Sequence, residues 1–314
     1  MIAAFAPATV SNVGCGFDVL GFALDTPGDI VVAEALTGAS GVEIARIEGD
    51  GGRLSREIAR NTAGAAVDAL LTRLGAARAI RLTIHKGIPL ASGVGSSGAS
   101  AVAALVAANE LLGRPAPLDL LFDCAMQAEI AGCGAAHPDN VAPSLYGGFV
   151  LARARAFDDG RSDVIRLPVP SGLSCAVLHP HLEVATGPAR ALLGDSVPLA
   201  AAVRQWGNVG GLVAGLFLND LPLIARTLED HVAEPKRAHL VPGFDAVKRA
   251  ALAAGALGCS LSGSGPALFA LCASFERAEL VGEAMRAAFA SVSNVGTDLW
   301  ISPVGRQGAR IVTI

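Results

Sequence analysis

The sequence lacks any pair of cysteines at the Cys-x-x-Cys spacing. Its cysteines are scattered through mostly apolar surroundings, at Cys15, Cys124, Cys133, Cys175, Cys259 and Cys272. This pattern is typical of reduced cytosolic residues and not of a disulfide framework. His179 and His181 flank a single proline, but two histidines without further ligands nearby do not complete a coordination sphere. The sequence therefore predicts neither disulfides nor a zinc site.

A membrane-spanning segment and a signal peptide are also missing from the sequence. The mean hydropathy of +0.51 is high, but the surplus comes from alanine and glycine. The longest apolar helix that the sequence predicts, over residues 99–112, is well short of the about 20 residues that cross a bilayer. The chain does not open with a basic segment followed by an apolar one. We expect a cytoplasmic protein that does not contact a membrane.

The excess of positive charge that marks a nucleic-acid-binding protein is missing as well. Lysine and arginine number 24 against 28 aspartates and glutamates, which gives a net charge of −4, and the pI is near 5.9. We therefore expect no nucleic-acid partner. Any site for an anion must be local.

The length of the chain and its element pattern predict two domains of the α+β class. The 314 residues, 52% of them hydrophobic, suffice for two domains with a substantial core. Strand and helix patterns mix without strict β-α-β alternation, which favours α+β over a doubly wound sheet. A charged, glycine-containing run over 153–166 is typical of a hairpin connection, and a new cycle of elements begins after Pro168. We place the domains at 1–167 and 168–314, and we predict loops over 7–18 and 132–143.

The stretch Pro89–Ser100, with the sequence PLASGVGSSGAS, is the most informative part of the chain. It is a glycine- and serine-rich loop without an acidic side chain, and it leads into an alanine-rich helix. Glycines let the backbone approach a ligand closely, and the following helix directs unpaired N–H groups and the positive end of its dipole at the loop. These features suit the phosphates of a nucleotide.

The well-known nucleotide-binding motifs of unrelated proteins match this loop less well. Gly93, Gly95 and Gly98 spell the dinucleotide fingerprint G-x-G-x-x-G. However, residues 89–92 separate Gly93 from the predicted strand over 81–84, and no strand with an acidic end follows at the expected distance. The Gly-Lys-Ser/Thr of the P-loop and the His-Arg-Asp and Asp-Phe-Gly elements of protein kinases are absent. A plain helix-capping loop is the remaining alternative, although two serines and three glycines exceed what a cap requires.

Three segments resemble the signatures of the GHMP-type small-molecule kinases. The loop over 89–99 is similar to the family's P-x-x-x-G-L-G-S-S-A motif, with a valine for the usual leucine and Gly98 for the usual alanine. The N-terminal APATVSNVGCGFDVLGFAL resembles the family's first signature, with Cys15 in place of proline. The segment SLSGSGPALFAL, which ends at Leu271, resembles the C-terminal glycine motif. Together the three segments identify the family.

Residues 137–149, 181–190 and 234–244 resemble segments of the branch of this family that phosphorylates L-homoserine. The resemblance implies an α/β N-terminal domain of the ribosomal-protein-like fold, a ferredoxin-like C-terminal domain and an active site in the cleft between them. It implies that ATP phosphorylates the side-chain hydroxyl of L-homoserine to give O-phospho-L-homoserine, a step of threonine biosynthesis. It also implies a homodimer.

The resemblance assigns residues to the nucleotide and to a metal ion. The loop residues that would contact ATP are Pro89, Leu90, Ala91, Ser92, Gly93, Val94, Gly95, Ser96, Ser97, Gly98 and Ala99. Lys86 would offset the charge of the nucleotide, and Asn61 would meet its adenosine end. Mg²⁺, which phosphoryl transfer from ATP needs, would be held by Ser97 and Glu129.

L-Homoserine requires the recognition of a carboxylate, an ammonium and an alcohol. Arginine suits the carboxylate because the guanidinium matches its geometry and stays charged. An aspartate and an asparagine oxygen suit the ammonium. The residues that the resemblance assigns to the amino-acid end are Asn12, Asp18, Thr186, Arg190, Arg237 and Gly263. Asn140 would orient the hydroxyl.

The sequence leaves the identity of a general base open. Asp139 precedes Asn140, but in the L-homoserine branch the asparagine is the partner of the hydroxyl, and an amide cannot take a proton at neutral pH. We therefore predict catalysis by alignment and charge stabilisation, without a strong base. Two alternatives stay open: a sibling kinase acting on mevalonate, a sugar or a related alcohol, and a catalytically silent nucleotide- or metabolite-binding regulator on the same fold.

Overall fold

A seven-stranded sheet forms the N-terminal part of the fold. In the computed structural model, which describes residues 1–37, 40–154 and 162–313, its strands are β1 (Ile2–Ser11), β2 (Leu20–Leu36), β3 (Gly41–Glu48), β4 (Ala79–His85), β5 (Phe149–Ala154), β6 (Ser162–Leu167) and β11 (Arg310–Val312). The strand order is β11-β1-β2-β4-β3, with β5 paired to β2 and β6 paired to β5. The pairs are antiparallel except for β3 with β4.

Four helices accompany this sheet, and one of them is buried in the core. They are α1 (Thr62–Leu74), α2 (Ser96–Leu111), α3 (Leu118–Cys133) and α4 (Pro138–Tyr146), with a 3-10 turn at Ile58–Arg60. Helix α2 packs against β1 and β2 and contacts the other three helices. A helix that is apolar on all sides belongs in a core, and the alanines of α2 are inaccessible to solvent. The small side chains of α2 allow this close packing, which fixes its N-terminus.

A four-stranded antiparallel sheet forms the second unit. Its strands are β7 (Ser174–Pro180), β8 (Gly258–Leu261), β9 (Leu268–Cys272) and β10 (Thr297–Pro303), and helices α9 (Phe244–Ala253) and α10 (Phe275–Ala290) pack against it. Across the sheet the strands are ordered β10-β7-β9-β8. Counted by their order in the chain, neighbouring strands are the fourth, first, third and second of this unit. This is the ferredoxin-like arrangement, as the resemblance implied, and the α+β fold class is confirmed.

Four helices connect β7 to α9. They are α5 (Thr186–Ala191), α6 (Leu199–Leu218), α7 (Leu221–Thr227) and α8 (Glu234–Arg237), with a 3-10 turn at Ala238–Leu240. Among the helices in the described ranges, none is both long and apolar enough to cross a membrane.

The two sheets share one hydrophobic core. Phe22 of β2 contacts Phe149 of β5 at a ring-centroid distance of 5.3 Å and Phe269 of β9 at 6.2 Å. Cys175 and Val177 of β7 belong to the same buried cluster. The opposite face of the second sheet packs against α9 and α10. The walls of the cleft between the two units are therefore fixed by continuous packing.

The end of the chain returns to the first sheet. Strand β11 pairs with β1, with Val312 opposite Ala3, and the Gly305 N–H donates to the Ala23 carbonyl at 2.7 Å. The tail thus crosses the predicted domain boundary at 167/168 and completes the edge of the N-terminal sheet. The predicted hairpin over 153–166 forms between β5 and β6, and its residues 155–161 lie outside the described ranges.

Two predicted loops are wrong in part. Strand β1 continues to Ser11, through a shift of register between Pro7 and Thr9, and a proline is tolerated in a strand at such an irregularity. The segment predicted as a loop over 132–143 contains the start of α4, where Pro138 occupies the first helical turn. Proline is compatible with that position because the N–H it lacks would have no partner inside the helix.

Candidate active site

The glycine loop lies where the two units meet. Gly93 and Gly95 have φ angles of 83° and 74°, a left-handed conformation that favours glycine. The Thr9 N–H donates to the Val94 carbonyl at 3.1 Å, and the Ser262 hydroxyl donates to the Gly93 carbonyl at 2.7 Å. The loop is thus held by β1 on one side and by the second glycine turn on the other, and it ends at the N-terminus of α2.

A cavity of about 410 Å³ opens in front of this loop. Most of the predicted site residues line it: Asn12, Asp18, Asn61, Lys86, Leu90, Ala91, Ser92, Gly93, Gly95, Ser96, Ser97, Glu129, Asn140, Thr186, Arg190, Arg237 and Gly263. Four predicted loop residues are not among its lining: Pro89, Val94, Gly98 and Ala99. The last three of these are buried, because that side of the loop and the first turn of α2 face the core. The cavity is within the size range of ligand sites.

Lys86 is buried beneath the loop instead of extending freely toward a ligand. Its ammonium forms an ion pair with Asp29 and donates to the Ser96 carbonyl at 2.9 Å and the Ser100 hydroxyl at 2.8 Å. Burial lowers the pKa of Lys86, and the charge of Asp29 opposes that shift. The lysine therefore supports the start of α2, and its contact with a nucleotide stays a prediction.

Asn61 is also engaged in the protein's own structure. Its amide oxygen accepts from the N–H groups of Ala63 and Gly64 at 3.1 and 3.3 Å, which caps α1. Its amide nitrogen donates to the Ser55 carbonyl at 2.9 Å. Both ends of the Asn61 amide thus have partners within the protein, and Asn61 is part of the cavity wall. Its contact with adenosine stays a prediction.

Opposite charges meet at one end of the cavity. The guanidinium of Arg190 contacts both carboxylate oxygens of Asp18. Asn12 accepts a hydrogen bond from the Asp18 N–H at 3.0 Å through its amide oxygen and donates to the Gly263 carbonyl at 2.9 Å. The Asn12 oxygen that was predicted to receive an ammonium is thus occupied by the backbone of Asp18. Asn12 holds Asp18 in place.

Phe17 contacts two arginines at this end of the cavity, a role that the sequence did not indicate. The guanidinium carbons of Arg190 and Arg237 lie 5.5 and 5.3 Å from the centre of its ring, within the range of a cation–π contact. Arg237 is buried, and it donates to the carbonyls of Ala189 and Gly263 at 3.0 and 3.3 Å. Burial lowers the pKa of Arg237, and the charge of Arg190 adds to this effect.

Glu129 and Ser97 offer hard oxygen ligands to the same cavity. Glu129 is 1% exposed, and one of its carboxylate oxygens lies 3.3 Å from Nδ1 of His137. This contact raises the pKa of His137. A carboxylate and a hydroxyl are ligands that Mg²⁺ accepts, and a buried carboxylate at a phosphate loop fits that ion. No sequence pattern singled out His137.

Asp139 and Asn140 begin α4 at the back of the cavity. Asp139 is fully buried and accepts from the Asn12 N–H at 3.3 Å. Burial raises the pKa of Asp139 to about 7, and the charge of Asp18 contributes. The Asn140 amide oxygen accepts from the Thr9 hydroxyl at 2.9 Å. Thr9 is a further residue of the site that the sequence did not indicate.

Asp298 contacts both His179 and His181, which the sequence did not indicate. Asp298 lies 3.2 Å from Nδ1 of His179 and 3.1 Å from Nε2 of His181. His179 stacks on Trp300 at a centroid distance of 5.6 Å. This cluster is not part of the cavity lining.

Comparisons with known proteins agree with this geometry. The GHMP kinases N terminal domain matches residues 61–148, and the GHMP kinases C terminal domain matches residues 212–291. A homoserine kinase from Chlorobium phaeobacteroides (strain BS1) is 48% identical to this chain, and the alignment covers 99% of each. The chain belongs to the homoserine kinase family of the GHMP kinases.

More distant members and solved structures extend the comparison. A homoserine kinase from Xanthomonas campestris pv. campestris (strain B100) is 40% identical, over 98% of this chain and 93% of the relative. The crystal structure of homoserine kinase from Cytophaga hutchinsonii has a TM-score of 0.94 and 50% identity, over 99% of this chain and 97% of that one. The L. major mevalonate kinase structure, at a TM-score of 0.70 and 15% identity, shares the fold. As a GHMP kinase, the protein is an ATP-dependent small-molecule kinase.

The raised pKa of Asp139 predicts a pH dependence of stability. Because this pKa lies above the ordinary 3.8, the folded protein binds the proton more tightly than the unfolded chain does. The free energy of unfolding of the ligand-free protein should therefore fall as the pH rises from about 4 to about 7. Asp139→Asn should remove part of this decline. Urea unfolding of both proteins at several pH values measures it.

In this experiment the variant should gain stability relative to the parent as the pH rises. Asp18→Asn is the matched control, because it removes the neighbouring charge but leaves Asp139 in place, and it should reduce the pH dependence only in part. Parallel curves for parent and Asp139→Asn would contradict the assignment.

Proposed function

We propose that the enzyme transfers the γ-phosphoryl group of Mg-ATP to the side-chain hydroxyl of L-homoserine. The product is O-phospho-L-homoserine, and the reaction is a step of threonine biosynthesis. The names of the relatives support this proposal. The observation that carries it is the pairing of Asp18 with Arg190 at the acceptor end of the cavity.

This ion pair is suited to a zwitterion. Asp18 and Arg190 have each other as partners in the ligand-free protein. An amino acid can separate them and give each a new partner, since its ammonium replaces the guanidinium at Asp18 and its carboxylate replaces Asp18 at Arg190. A buried or half-buried charge that loses its partner without replacement is costly. Mevalonate, which has a carboxylate but no ammonium, would leave Asp18 uncompensated when it displaced Asp18 from Arg190, and a neutral sugar could replace neither partner.

The remaining acceptor contacts follow from the same arrangement. Arg237 and Arg190 both lie within cation–π distance of the Phe17 ring and both line the cavity, so each guanidinium is available to the carboxylate of the acceptor. Thr186 and Gly263, which line the cavity, would complete the amino-acid end. Asn140 would then contact the alcohol at the opposite end of the substrate.

The nucleotide site is proposed at the glycine loop. The phosphates would lie against the N–H groups of the loop and the first turn of α2, where the helix dipole favours negative charge. Lys86 contributes from beneath, because its contacts with Asp29 and with the Ser96 carbonyl hold the loop in position. The loop is thus prepared for an anion before the anion binds.

The chemistry requires alignment more than a strong base. Phosphoryl transfer has a loose transition state, and most of its catalysis comes from positioning and charge stabilisation. Asn140 cannot accept a proton at neutral pH. Asp139 is buried and bonded to the Asn12 N–H, so its first role is structural. Asn140 would direct the alcohol oxygen toward the γ-phosphate, and the alcohol proton would leave to phosphate or solvent.

Mg²⁺ is proposed to bind at Glu129 and Ser97. Such an ion would neutralise charge between the phosphates of ATP. Glu129→Gln keeps the size of the side chain and removes the charge. We expect it to raise the Mg²⁺ concentration for half-maximal activity by at least about tenfold. Initial rates at saturating ATP over a series of Mg²⁺ concentrations measure this change.

Asp123→Asn is the matched control for Glu129→Gln, because Asp123 lies on the same helix α3 but faces Arg73 at 3.8 Å. It should leave the Mg²⁺ dependence unchanged. An unaltered dependence in Glu129→Gln would mean that the ion has other ligands.

The acceptor is tested by ADP release from the purified protein with Mg-ATP. L-Homoserine should support turnover, whereas mevalonate, galactose and the L-homoserine analogue without an amino group should not exceed the rate without acceptor. Arg237→Ala should raise the KM for L-homoserine by about 10- to 100-fold, since it removes a charged partner of the carboxylate. Asn140→Ala should depress kcat.

Arg249→Ala, at an exposed arginine outside the cavity, is the control for the loss of one positive charge and should behave as the parent. Turnover with mevalonate or galactose would indicate a sibling kinase. Nucleotide binding without turnover on any acceptor would indicate the silent regulator.

We also infer a homodimer that forms through α6. Leu199, Val203, Trp206 and Phe217 are exposed on this helix, at intervals typical of one helix face. A Cβ atom added at Gly207 or Gly210 would meet no neighbour within 4 Å, so a bulky side chain of a second copy can approach there. A two-fold axis would place Trp206 of each copy against the glycines of the other.

Trp206→Glu should convert this dimer to a monomer in size-exclusion chromatography with light scattering. Leu280→Glu, an equally drastic change at an exposed leucine of α10, is the control and should leave the mass unchanged. A parent protein that elutes as a monomer would overturn the dimer.

The proposal also includes a cytoplasmic location and the absence of a nucleic-acid partner. An enzyme that consumes ATP for amino-acid synthesis works where ATP is present, which supports a cytoplasmic location. The net charge of −4 does not favour a nucleic-acid partner.

A further inference from the structure

We propose that Thr9 is a positioning residue for phosphoryl transfer, because its hydroxyl fixes which end of the Asn140 amide faces the acceptor alcohol. The inference deepens the proposed function and rests on it. It concerns a side chain that is not part of the cavity lining.

The position of Thr9 suits this role. Thr9 is inaccessible to solvent in β1, and its N–H donates to the Val94 carbonyl of the glycine loop at 3.1 Å. A Cβ atom on Gly95 would lie 2.3 Å from the Thr9 hydroxyl oxygen and 2.9 Å from the Asn140 amide oxygen. The hydroxyl–amide pair therefore packs directly against the loop that would hold the phosphates.

The hydrogen bond sets the orientation of the amide. An asparagine amide has an acceptor oxygen and a donor nitrogen, and a half-turn about its last bond exchanges them. The Thr9 hydroxyl donates to the Asn140 oxygen at 2.9 Å. After a half-turn the amide oxygen would face the Asp139 carboxylate, which now lies 3.5 Å from the amide nitrogen, so the two contacts together hold the oxygen toward the loop. The backbone of Asn140 is fixed as well, because its N–H donates to the His137 carbonyl at 3.1 Å.

The amide nitrogen is then left for the acceptor. It lies 3.5 Å from the nearer Asp139 oxygen, which is at the outer limit of a hydrogen bond. An alcohol in the cavity would therefore accept an N–H bond from Asn140, and its oxygen would be held beside the loop with a lone pair free for the γ-phosphate. Without Thr9 the amide can turn, and the alcohol would be held in more than one way.

The test compares two variants of nearly equal size. Thr9→Val keeps the shape of the side chain and removes the hydroxyl, whereas Thr9→Ser keeps the hydroxyl. We expect Thr9→Val to lower kcat about tenfold, the effect of one hydrogen bond, with an unchanged KM for ATP. Thr9→Ser should retain kcat within about threefold. Thermal unfolding of each variant runs in parallel.

A double-mutant cycle separates positioning from a general structural effect. If Thr9 acts through Asn140, Thr9→Val should have no further effect on kcat in the Asn140→Ala background. Equal rates for Thr9→Val and Thr9→Ser, or effects that multiply in the double variant, would overturn the proposal. If Thr9→Val does not fold, Thr9→Cys, whose thiol is a weak donor, takes its place with the same expectations.

Measurements on the parent enzyme distinguish an error in the proposed acceptor from an error in the proposed role of Thr9. All rates are measured with the acceptor that the parent phosphorylates among L-homoserine, mevalonate and galactose. A wrong acceptor would be seen in the parent alone, whereas a wrong role for Thr9 would be seen only in the variants.

Discussion

The buried ion pair between Lys86 and Asp29 supports the rest of the site. Asp29, in the long strand β2, accepts from the N–H groups of Gly87 and Ile88 at 3.0 and 3.1 Å. Lys86 follows β4 and reaches the first turn of α2. A buried charge is tolerated only when its partner and its hydrogen bonds are all in place. This pair therefore fixes the sheet, the glycine loop and the helix N-terminus in one arrangement, and the anion site follows from it.

Three polar groups of the cavity that the proposed function uses have partners within the protein before any ligand arrives. Asp18 has Arg190, Glu129 has His137 and the Asn140 oxygen has Thr9. Such a site is pre-organised, so little ordering is left for the moment of binding. A ligand must offer the same kinds of bonds that it displaces. In the proposed function, selectivity for a zwitterionic acceptor would arise from exchange of partners and not from shape alone.

The sequence predicted the glycine loop, the acidic and basic side chains of the cavity and the fold class, because glycine patterns and signature segments are local in the chain. It did not reveal partners that are distant in the chain. The ion pair of Lys86 with Asp29, 57 residues away, and the hydrogen bond of Thr9 to Asn140, 131 residues away, were both missed. The start of α4 was taken for a loop because proline is frequent in loops, and its place at a helix N-terminus depends on packing.

The return of β11 to the first sheet has a consequence for how the chain is made. Strand β1 pairs with a strand about 300 residues further along the chain, with Ala3 opposite Val312. On a ribosome, where N-terminal regions fold first, β1 keeps one unpaired edge until β11 has been made. Unpaired strand edges invite association with other chains. The edge of the first sheet therefore stays open while the residues between β1 and β11 are made, and only the arrival of β11 closes it.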